Sequence, residues 1–183
     1  MAKVIVIGAG PAGIMAAITA AENHKVLLID GNEKIAKKLF ITGKGRCNIT
    51  NAKDIGDFFD YIPGNPHFLY SALYSFTNND VIEMIENEGT KLKVERGGRV
   101  FPESDKSSDI IKALSKKLSK AKVDIRLNSK VTDVFFENDI IKSVEINGSE
   151  RISADYFIIA TGGASYPLTG SRGEGQVLAE KLG

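Results

Sequence analysis

The stretch that decides the fold is KVIVIGAGPAG, Lys3 to Gly13, in which an apolar run gives way to three glycines. Lys3 to Ile7 is rich in β-branched residues and does not alternate, as expected of a strand that is buried on both faces of a parallel sheet. Pro11 suits the first turn of a helix, and apolar residues recur at helical spacing as far as about Asn23. A second apolar run, Lys25 to Ile29, completes a strand–helix–strand unit with a right-handed crossover. The sequence predicts an α/β fold with a Rossmann-like parallel sheet.

The glycines form a G-x-G-x-x-G motif, completed by Pro11 and Ala12, and Asp30 follows 22 positions after Gly8. This context is typical of a dinucleotide site. Gly8 permits the tight turn, Gly10 lets the backbone approach a pyrophosphate, and Gly13 lets the helix pack on the sheet. Asp30 would accept hydrogen bonds from ribose hydroxyls and would disfavour a 2′-phosphate. The alternative is a tight glycine turn without a ligand, with Asp30 as an ordinary acid at a strand end.

Composition excludes several classes of protein. The chain has 183 residues, with Lys+Arg 24 against Asp+Glu 23, so nothing indicates disorder or a polycation, and a nucleic-acid partner is disfavoured without being excluded. One cysteine forms no internal disulfide and anchors no zinc site, so we expect no metal and a reducing, cytoplasmic home. The glycines and Pro11 interrupt the uncharged N-terminal stretch, which argues against a secretory signal and a membrane segment.

The middle of the chain predicts a long loop followed by alternating elements. Residues 31–65 are rich in Gly, Asn, Lys and Pro and are expected to be irregular and functional. We then expect a short helix near Phe68–Phe76, followed by a capping box at Thr77–Asp80 and a helix at Val81–Glu88 that stops at Gly89. A two-residue hairpin turn, Gly97-Gly98, is predicted between the strands Lys91–Glu95 and Arg99–Phe101. A further helix is expected after its cap, Ser107-Ser108-Asp109.

The last third predicts a β-meander and a return to the parallel sheet. The predicted meander strands are Val123–Leu127, Lys130–Phe136, Ile140–Ile146 and Arg151–Ala154, with turns at Asn138-Asp139 and Asn147-Gly148. A fully apolar strand, Tyr156–Ala160, then ends in Thr161-Gly162-Gly163. A final helix is predicted over Gln176–Leu182, closing on Gly183.

The lone cysteine lies in TGKGRCNITN, Thr42 to Asn51, within a loop that carries Lys34, Lys37, Lys38, Lys44 and Arg46. The glycines at 43 and 45 let backbone amides face an anion. Cys47 has two interpretations: a redox thiol whose pKa is lowered by Arg46 and backbone amides, or a small residue packed beside a cofactor. We favour the second, because no second cysteine is present to resolve a disulfide.

VIVIGAGPAG, the meander and ATGG at Ala160–Gly163 together resemble the flavoproteins of glutathione-reductase type. Within that group, three further stretches are similar to the BaiN/YhiN-like family of FAD-dependent oxidoreductases, also described as aminoacetone-oxidase-like flavoproteins. These stretches are GKGRCNITN, Glu95 to Ile110 (ERGGRVFPESDKSSDI), and Ala160 to Gly175 (ATGGASYPLTGSRGEG). The resemblance runs through the whole chain.

The resemblance implies an FAD-binding domain over residues 1–183. Family members are about twice as long, with an inserted substrate domain and a C-terminal return, so the chain is expected to be an N-terminal portion. The resemblance places Gly45, Arg46, Cys47 and Asn48 beside the flavin, where Arg46 would stabilise the reduced ring, and it makes Tyr166 a candidate proton donor. The remaining cofactor contacts that we expect are Gly31, Lys38, Gly43, Val131, Ala160, Thr161, Gly162 and Gly163.

Three functions follow as expectations. The first is hydride transfer between NAD(P)H, FAD and a small organic substrate, such as an activated C=C bond or an amine. The second is a nucleotide-binding module without chemistry of its own. The third is reduction of an RNA base, served by the cationic loop. The sequence does not identify the substrate or the oligomeric state.

Overall fold

The structure is a computed structural model, which describes residues 1–138 and 140–180. Its strands are β1 Lys3–Ile7, β2 Lys25–Ile29, β3 Thr50–Asn51, β4 Leu92–Glu95, β5 Arg99–Pro102, β6 Asp124–Arg126, β7 Val131–Glu137, β8 Ile140–Ile146, β9 Glu150–Ser153 and β10 Tyr156–Ile159. Its α-helices are α1 Pro11–Ala21, α2 Lys37–Ile41, α3 Tyr70–Ser75, α4 Asn78–Glu86, α5 Ser107–Lys120 and α6 Glu174–Glu180. The chain divides into two compact units, Met1–Leu39 with Ser115–Gly183, and Phe40–Leu114.

The first unit contains a parallel sheet of strand order β10-β1-β2-β6. The central strand β1 pairs in parallel with β2 on one side and with β10 on the other. Ile5 and Val6 are fully buried, as a strand covered on both faces requires. The predicted α/β fold with its Rossmann-like parallel sheet is therefore confirmed.

The strand at 124–126 corrects one expectation. We placed Val123–Leu127 in the meander, but β6 pairs in parallel with β2, Leu28 opposite Ile125, and forms the edge of the parallel sheet. A short strand pattern does not encode which sheet it joins, because that choice depends on the long-range packing of its neighbours.

The meander itself comprises β7, β8 and β9, which pair antiparallel in that order. Its apolar face packs against the parallel sheet in one core, in which Val131, Val134, Val144 and Ile146 meet Ile5, Ile7 and Ile29. Leu178 of α6 joins the same core. Part of the predicted Asn138-Asp139 turn, Asp139, lies outside the described residues, as do the predicted helix end at Leu182 and the stop at Gly183.

The second unit contains a small antiparallel sheet of order β3-β5-β4. The predicted capping box is present before α4: the Thr77 side chain accepts from the Asp80 N–H, and the Asp80 carboxylate accepts from the Thr77 N–H at 2.6 Å. The hairpin is one residue longer than we predicted, since Glu95 pairs with Arg99 and three residues connect them. Both Gly97 and Gly98 have positive φ, as such a tight connection requires.

The long loop after β2 is more regular than predicted. Residues 31–65 contain the short helix α2, 3₁₀ turns at Thr42–Gly45 and Ile55–Tyr61, and the two-residue strand β3. Elements this short leave little periodic signal in a sequence. Among the residues that the structure describes, we find no helix with the length and apolarity that crossing a membrane requires.

Candidate functional site

The glycine loop between β1 and α1 is packed as its motif predicts. Gly8 has φ +106°, and a Cβ there would lie 2.4 Å from the Ala160 carbonyl oxygen. A Cβ on Gly13 would lie 1.7 Å from the Gly8 carbonyl oxygen, whereas a Cβ on Gly10 would meet nothing within 4 Å. The first and third glycines therefore close the turn against the neighbouring strand and helix, and the second leaves open space.

The open space lies at the N-terminus of α1. Gly10 is the N-cap residue and has no side chain to bond the first turn, and Pro11 follows it. The N–H groups of the first helical turn have no partner within the helix, and the helix dipole makes this end positive. An uncapped helix N-terminus beside a glycine with free space is suited to a phosphate.

Asp30 follows β2 and faces the same loop. Its Oδ2 accepts a hydrogen bond from the Ala9 N–H at 2.6 Å, and its Oδ1 accepts from the backbone N–H of Asn32 at 2.8 Å. The Asn32 side-chain amide donates to the same Oδ1 at 2.8 Å. The carboxylate is thus oriented by three donors of the chain itself.

These features surround one cleft of about 520 Å³ in the first unit. Its walls include most of the residues that we predicted for the first unit: Gly8, Gly10, Pro11, Ala12, Asp30, Gly31, Lys38, Val131, Ala160, Thr161 and Gly162. Gly13 packs beneath the turn, and the Gly163 carbonyl oxygen accepts from Lys38 Nζ at 3.4 Å. The structure therefore brings the predicted first-unit cofactor residues together around a single cavity.

A second wall of the cleft escaped prediction. Its residues come from three separate parts of the chain: Asn32, Lys130, and Thr169, Gly170, Ser171 and Glu174. Asn32 Nδ2 donates to the Thr169 carbonyl oxygen at 3.3 Å, although these residues are 137 positions apart. The glycine-rich GSRGEG stretch marked this segment as unusual, but no local pattern connects it to Asn32.

The other predicted cofactor residues, Gly43 to Asn48, belong to the second unit. Gly43, Lys44, Gly45 and Cys47 all have positive φ, which makes this a tightly wound loop. A Cβ on Gly43 would lie 3.0 Å from the backbone nitrogen of Asn48. In the orientation that satisfies its partners, the Asn48 amide nitrogen donates to the carbonyl oxygens of Val100 and Thr50, at 3.2 and 3.0 Å.

The Arg46 side chain is held by acids of its own unit. Nη1 donates to Glu95 Oε1 at 2.9 Å and to Asp105 Oδ1 at 3.2 Å, and the guanidinium lies 4.2 Å from the centre of the Phe101 ring. The hydrogen bond to Glu95 is the main cause that raises the pKa of Arg46. The predicted stabilisation of a reduced flavin by Arg46 remains a prediction, and these acids would offset part of the charge that it needs.

The two catalytic candidates lie in different surroundings. Cys47 is fully buried, and burial raises the pKa of its thiol, although the Thr42 side chain opposes this with a hydrogen bond. This environment disfavours the thiolate that a redox role requires. Tyr166 has φ +55° and is 68% exposed, and it is not among the residues that line the cleft.

Comparison with known proteins places the chain in a family. The model of the HI0933-like protein Rossmann domain matches residues 2–183. The chain is 34% identical over 180 residues to the ribosomal RNA dihydrouridine synthase of Escherichia coli, covering 98% of this chain and 44% of that protein. It is 33% identical to the 3-dehydro-bile acid delta(4,6)-reductase of Clostridium scindens, covering all of this chain and 44% of that protein. The chain thus spans less than half the length of these curated relatives.

A solved structure supports the fold independently. The open conformation of a flavocytochrome c3 fumarate reductase superposes with a TM-score of 0.68 over the whole chain, at 22% identity and 40% coverage of that protein. Identity this low shows the fold alone. The family match and the relatives confirm the resemblance that the sequence suggested: the chain belongs to the HI0933-like protein Rossmann domain family.

Proposed function

We propose that this chain holds the adenosine diphosphate half of FAD in the cleft of its first unit, as part of a flavin-dependent oxidoreductase. The observation that carries the proposal is the open space at Gly10, which lies beside the uncapped N-terminus of α1 and within a cleft that Asp30 also lines. A dinucleotide needs these three features together: room for a pyrophosphate, donors for its charge and an acceptor for its ribose.

The residues present fit the two halves of adenosine diphosphate. The N–H groups of the first α1 turn would donate to the pyrophosphate oxygens, and the helix dipole would offset their negative charge. Asp30 Oδ2 has spare acceptor capacity beyond its bond from Ala9, so a ribose hydroxyl could donate to it. Lys38 lines the same cleft and adds positive charge.

For the reaction, we propose reduction of a C=C bond that is conjugated to a carbonyl group, with NAD(P)H as the hydride donor. Two relatives support this class, because dihydrouridine is uridine with its ring C=C bond reduced, and a 3-dehydro-delta(4,6) bile acid carries C=C bonds conjugated to a ketone. Bound flavin would supply the hydride chemistry. The protein would contribute binding, orientation and electrostatics, acting on a small-molecule substrate in a reducing compartment such as the cytoplasm.

An RNA base is the second candidate substrate. The names of two relatives, from Escherichia coli and Haemophilus influenzae, favour it directly. The net charge of +1 for this chain gives no general electrostatic reason to expect a phosphate backbone as its partner, and it favours the small substrate.

The first experiment is a titration of FAD with the purified chain, followed by flavin fluorescence and the visible spectrum. The chain has no Trp, so flavin emission is the cleaner signal. We expect a change in emission that excess adenosine diphosphate reverses. The Asp30→Asn variant should bind more weakly, because a neutral amide is a poorer acceptor for ribose hydroxyls.

Asp155→Asn is the matched control. Asp155 also accepts a backbone hydrogen bond, from the Lys3 N–H at 2.7 Å, but it lies at the opposite end of β1 from the cleft. This variant should bind FAD like the parent. Binding that is equal in the parent and both variants would contradict the proposed site. If the site is supported, reduction assays with a conjugated enone and with a uridine-containing RNA, on protein that binds FAD, distinguish the two substrate classes.

A further inference from the structure

Asn32 stands out among the cleft residues because it joins four segments of the first unit. Its side chain bonds Asp30 and Thr169 and accepts a hydrogen bond from Lys37 Nζ at 3.2 Å. Its backbone carbonyl oxygen accepts from the Asn128 N–H at 2.9 Å. The half-buried Asn32 therefore links the end of β2, the start of α2, the loop before β7 and the 3₁₀ turn at Pro167–Thr169.

The neighbours of Asn32 fix the orientation of its amide. The Lys37 ammonium can only donate, so the amide oxygen must face it. The nitrogen then faces the Asp30 carboxylate and the Thr169 carbonyl oxygen, which can only accept. Both N–H bonds of the amide are used in this way, and neither remains for a ligand.

The consequence for Asp30 follows from its acceptor capacity. A carboxylate has about four lone-pair positions, two on each oxygen. The Asn32 backbone and side-chain donors occupy Oδ1, and the Ala9 N–H occupies one position on Oδ2. One position, on Oδ2, is left for a ligand hydroxyl.

We propose that Asn32 is a positioning residue that determines ribose recognition, because it saturates Asp30 Oδ1 and leaves Oδ2 as the acceptor for a nucleoside diphosphate with free ribose hydroxyls. The inference rests on the proposed function, since it assumes that the cleft binds adenosine diphosphate or a dinucleotide containing it. Asn32 acts on ribose recognition through Asp30. The close fit supports this role, because a Cβ on Gly170 would lie 2.5 Å from the Asn32 amide atoms.

The test compares two ligands, adenosine diphosphate and 2′,3′-dideoxyadenosine diphosphate, by calorimetric titration of the full chain. A hydrogen bond to a charged group is among the stronger ones in proteins, so the parent should prefer the hydroxylated ligand by roughly tenfold or more. In Asn32→Ala, Asp30 Oδ1 keeps the Asn32 backbone donor but loses the side-chain donor, so the carboxylate is held less firmly in its orientation and the affinity ratio should fall. The affinity for the dideoxy ligand should stay within about twofold of the parent.

A purely structural role would give a different pattern. Loss of the links to Thr169 and Lys37 alone would weaken both ligands equally and leave their ratio unchanged, which would overturn the inference. Asn32→Asp is the second variant, because its side chain keeps the shape but cannot donate to Asp30, and it should also lower the affinity ratio. Asn23→Asp introduces the same charge at an exposed residue at the far end of α1, and it should keep the parent ratio.

The outcomes separate this inference from the proposed function. A parent chain that binds neither ligand would refute the proposed nucleotide site and this inference with it. A parent that prefers the hydroxylated ligand, with variants that keep that preference, would refute the role of Asn32 and leave the proposed function standing. Urea unfolding of each variant, compared with the parent, establishes that the ratios come from folded protein.

Discussion

Two glycine loops of the chain, Gly8–Gly13 and Thr42–Asn48, have different structures. In the first, Gly8 and Gly13 pack against backbone atoms while Gly10 faces open space at an uncapped helix end. In the second, Thr42 to Asn48, four consecutive or nearly consecutive residues have positive φ and the polar side chains bond within their own unit. The first loop leaves donors available to a ligand, whereas in the second loop Arg46 Nη1 and the Asn48 side-chain amide donate within their own unit.

This difference shows that glycine content alone does not mark a phosphate site. What marks it is a glycine that a helix N-terminus follows, with room for a ligand where a side chain would otherwise lie. In the second loop, glycine serves mainly to permit left-handed backbone conformations. Substitutions in the two loops should therefore have different consequences, and these can be ranked by size.

The largest effect is expected from Gly13→Ala. The new Cβ would lie 1.7 Å from the Gly8 carbonyl oxygen, so the helix must move away from the turn. We expect the free energy of unfolding to fall by about 3 kcal/mol, the upper part of the range for overpacking. Urea denaturation measures it.

Gly45→Ala is the comparison from the second loop. Gly45 has φ +84° with nothing within 4 Å of an added Cβ, so only the left-handed conformation opposes the substitution. That conformation costs about 1 kcal/mol for a residue with a side chain. Equal losses of stability in the two variants would remove the distinction between the loops.

The next effect concerns binding and is expected from Gly10→Val. An added Cβ at this residue meets nothing within 4 Å, and the backbone angles are extended, so the variant should fold. The side chain would fill the space that we assign to the pyrophosphate, and FAD affinity should fall by at least about tenfold. Flavin fluorescence titration measures the loss. Gly10→Ala should lose less, and a chain that binds FAD equally well with valine at position 10 would refute the assignment.

The first loop was also the part of the site that the sequence predicted best. Gly8, Gly10, Gly13 and Asp30 belong to one local strand–helix–strand unit, so their spacing along the chain reflects their arrangement in space. The Asn32–Thr169 contact joins residues 137 positions apart, and no local pattern encodes it. The prediction that β6 belongs to the meander was wrong for the same reason: its pairing with β2 joins segments that lie far apart in the sequence.

The charges of the second loop are visible in the sequence, but the acids that meet them are not. Arg46 belongs to a local run of cations, but its partners Glu95 and Asp105 lie about 50 to 60 positions further along the chain. Opposite charges that meet through tertiary packing offset part of the positive electrostatic field that the local composition predicts. The cationic character of a loop is therefore a weaker prediction than its backbone conformation.

A smaller effect is expected from acid in this second region. Asp105 accepts hydrogen bonds from Lys93 Nζ at 2.7 Å and from Arg46 Nη1 at 3.2 Å. These bonds hold the pKa of Asp105 below its ordinary value, and the bond from Lys93 has the larger effect. A lowered carboxyl pKa contributes stability above the unfolded-state pKa, which is lost as the pH falls through the folded-state pKa. Stability should therefore decline below about pH 4.

Removing the charge tests this dependence. Asp105→Asn should be less stable than the parent at pH 7, and the difference should shrink as the pH falls, because the parent carboxylate then becomes neutral too. Lys93→Met should reduce the same acid-dependent part, since it removes the first partner of Asp105. A gap between parent and Asp105→Asn that stays constant from pH 7 to about pH 2 would contradict the assignment.

The smallest effect is expected at Cys47, the residue whose position first suggested redox chemistry. Its side chain is fully buried, and burial raises the pKa of the thiol, so the thiolate fraction should be very small at neutral pH. Native protein should react with a disulfide reagent far more slowly than a free thiol does, and the rate should rise as the pH increases above about 9. Cys47→Ser should bind FAD as the parent does. Rapid labelling of the folded chain at neutral pH would contradict the expected low reactivity, because such labelling requires an exposed thiolate. It would show that the second loop contains a reactive group in addition to its ion pairs and its left-handed backbone.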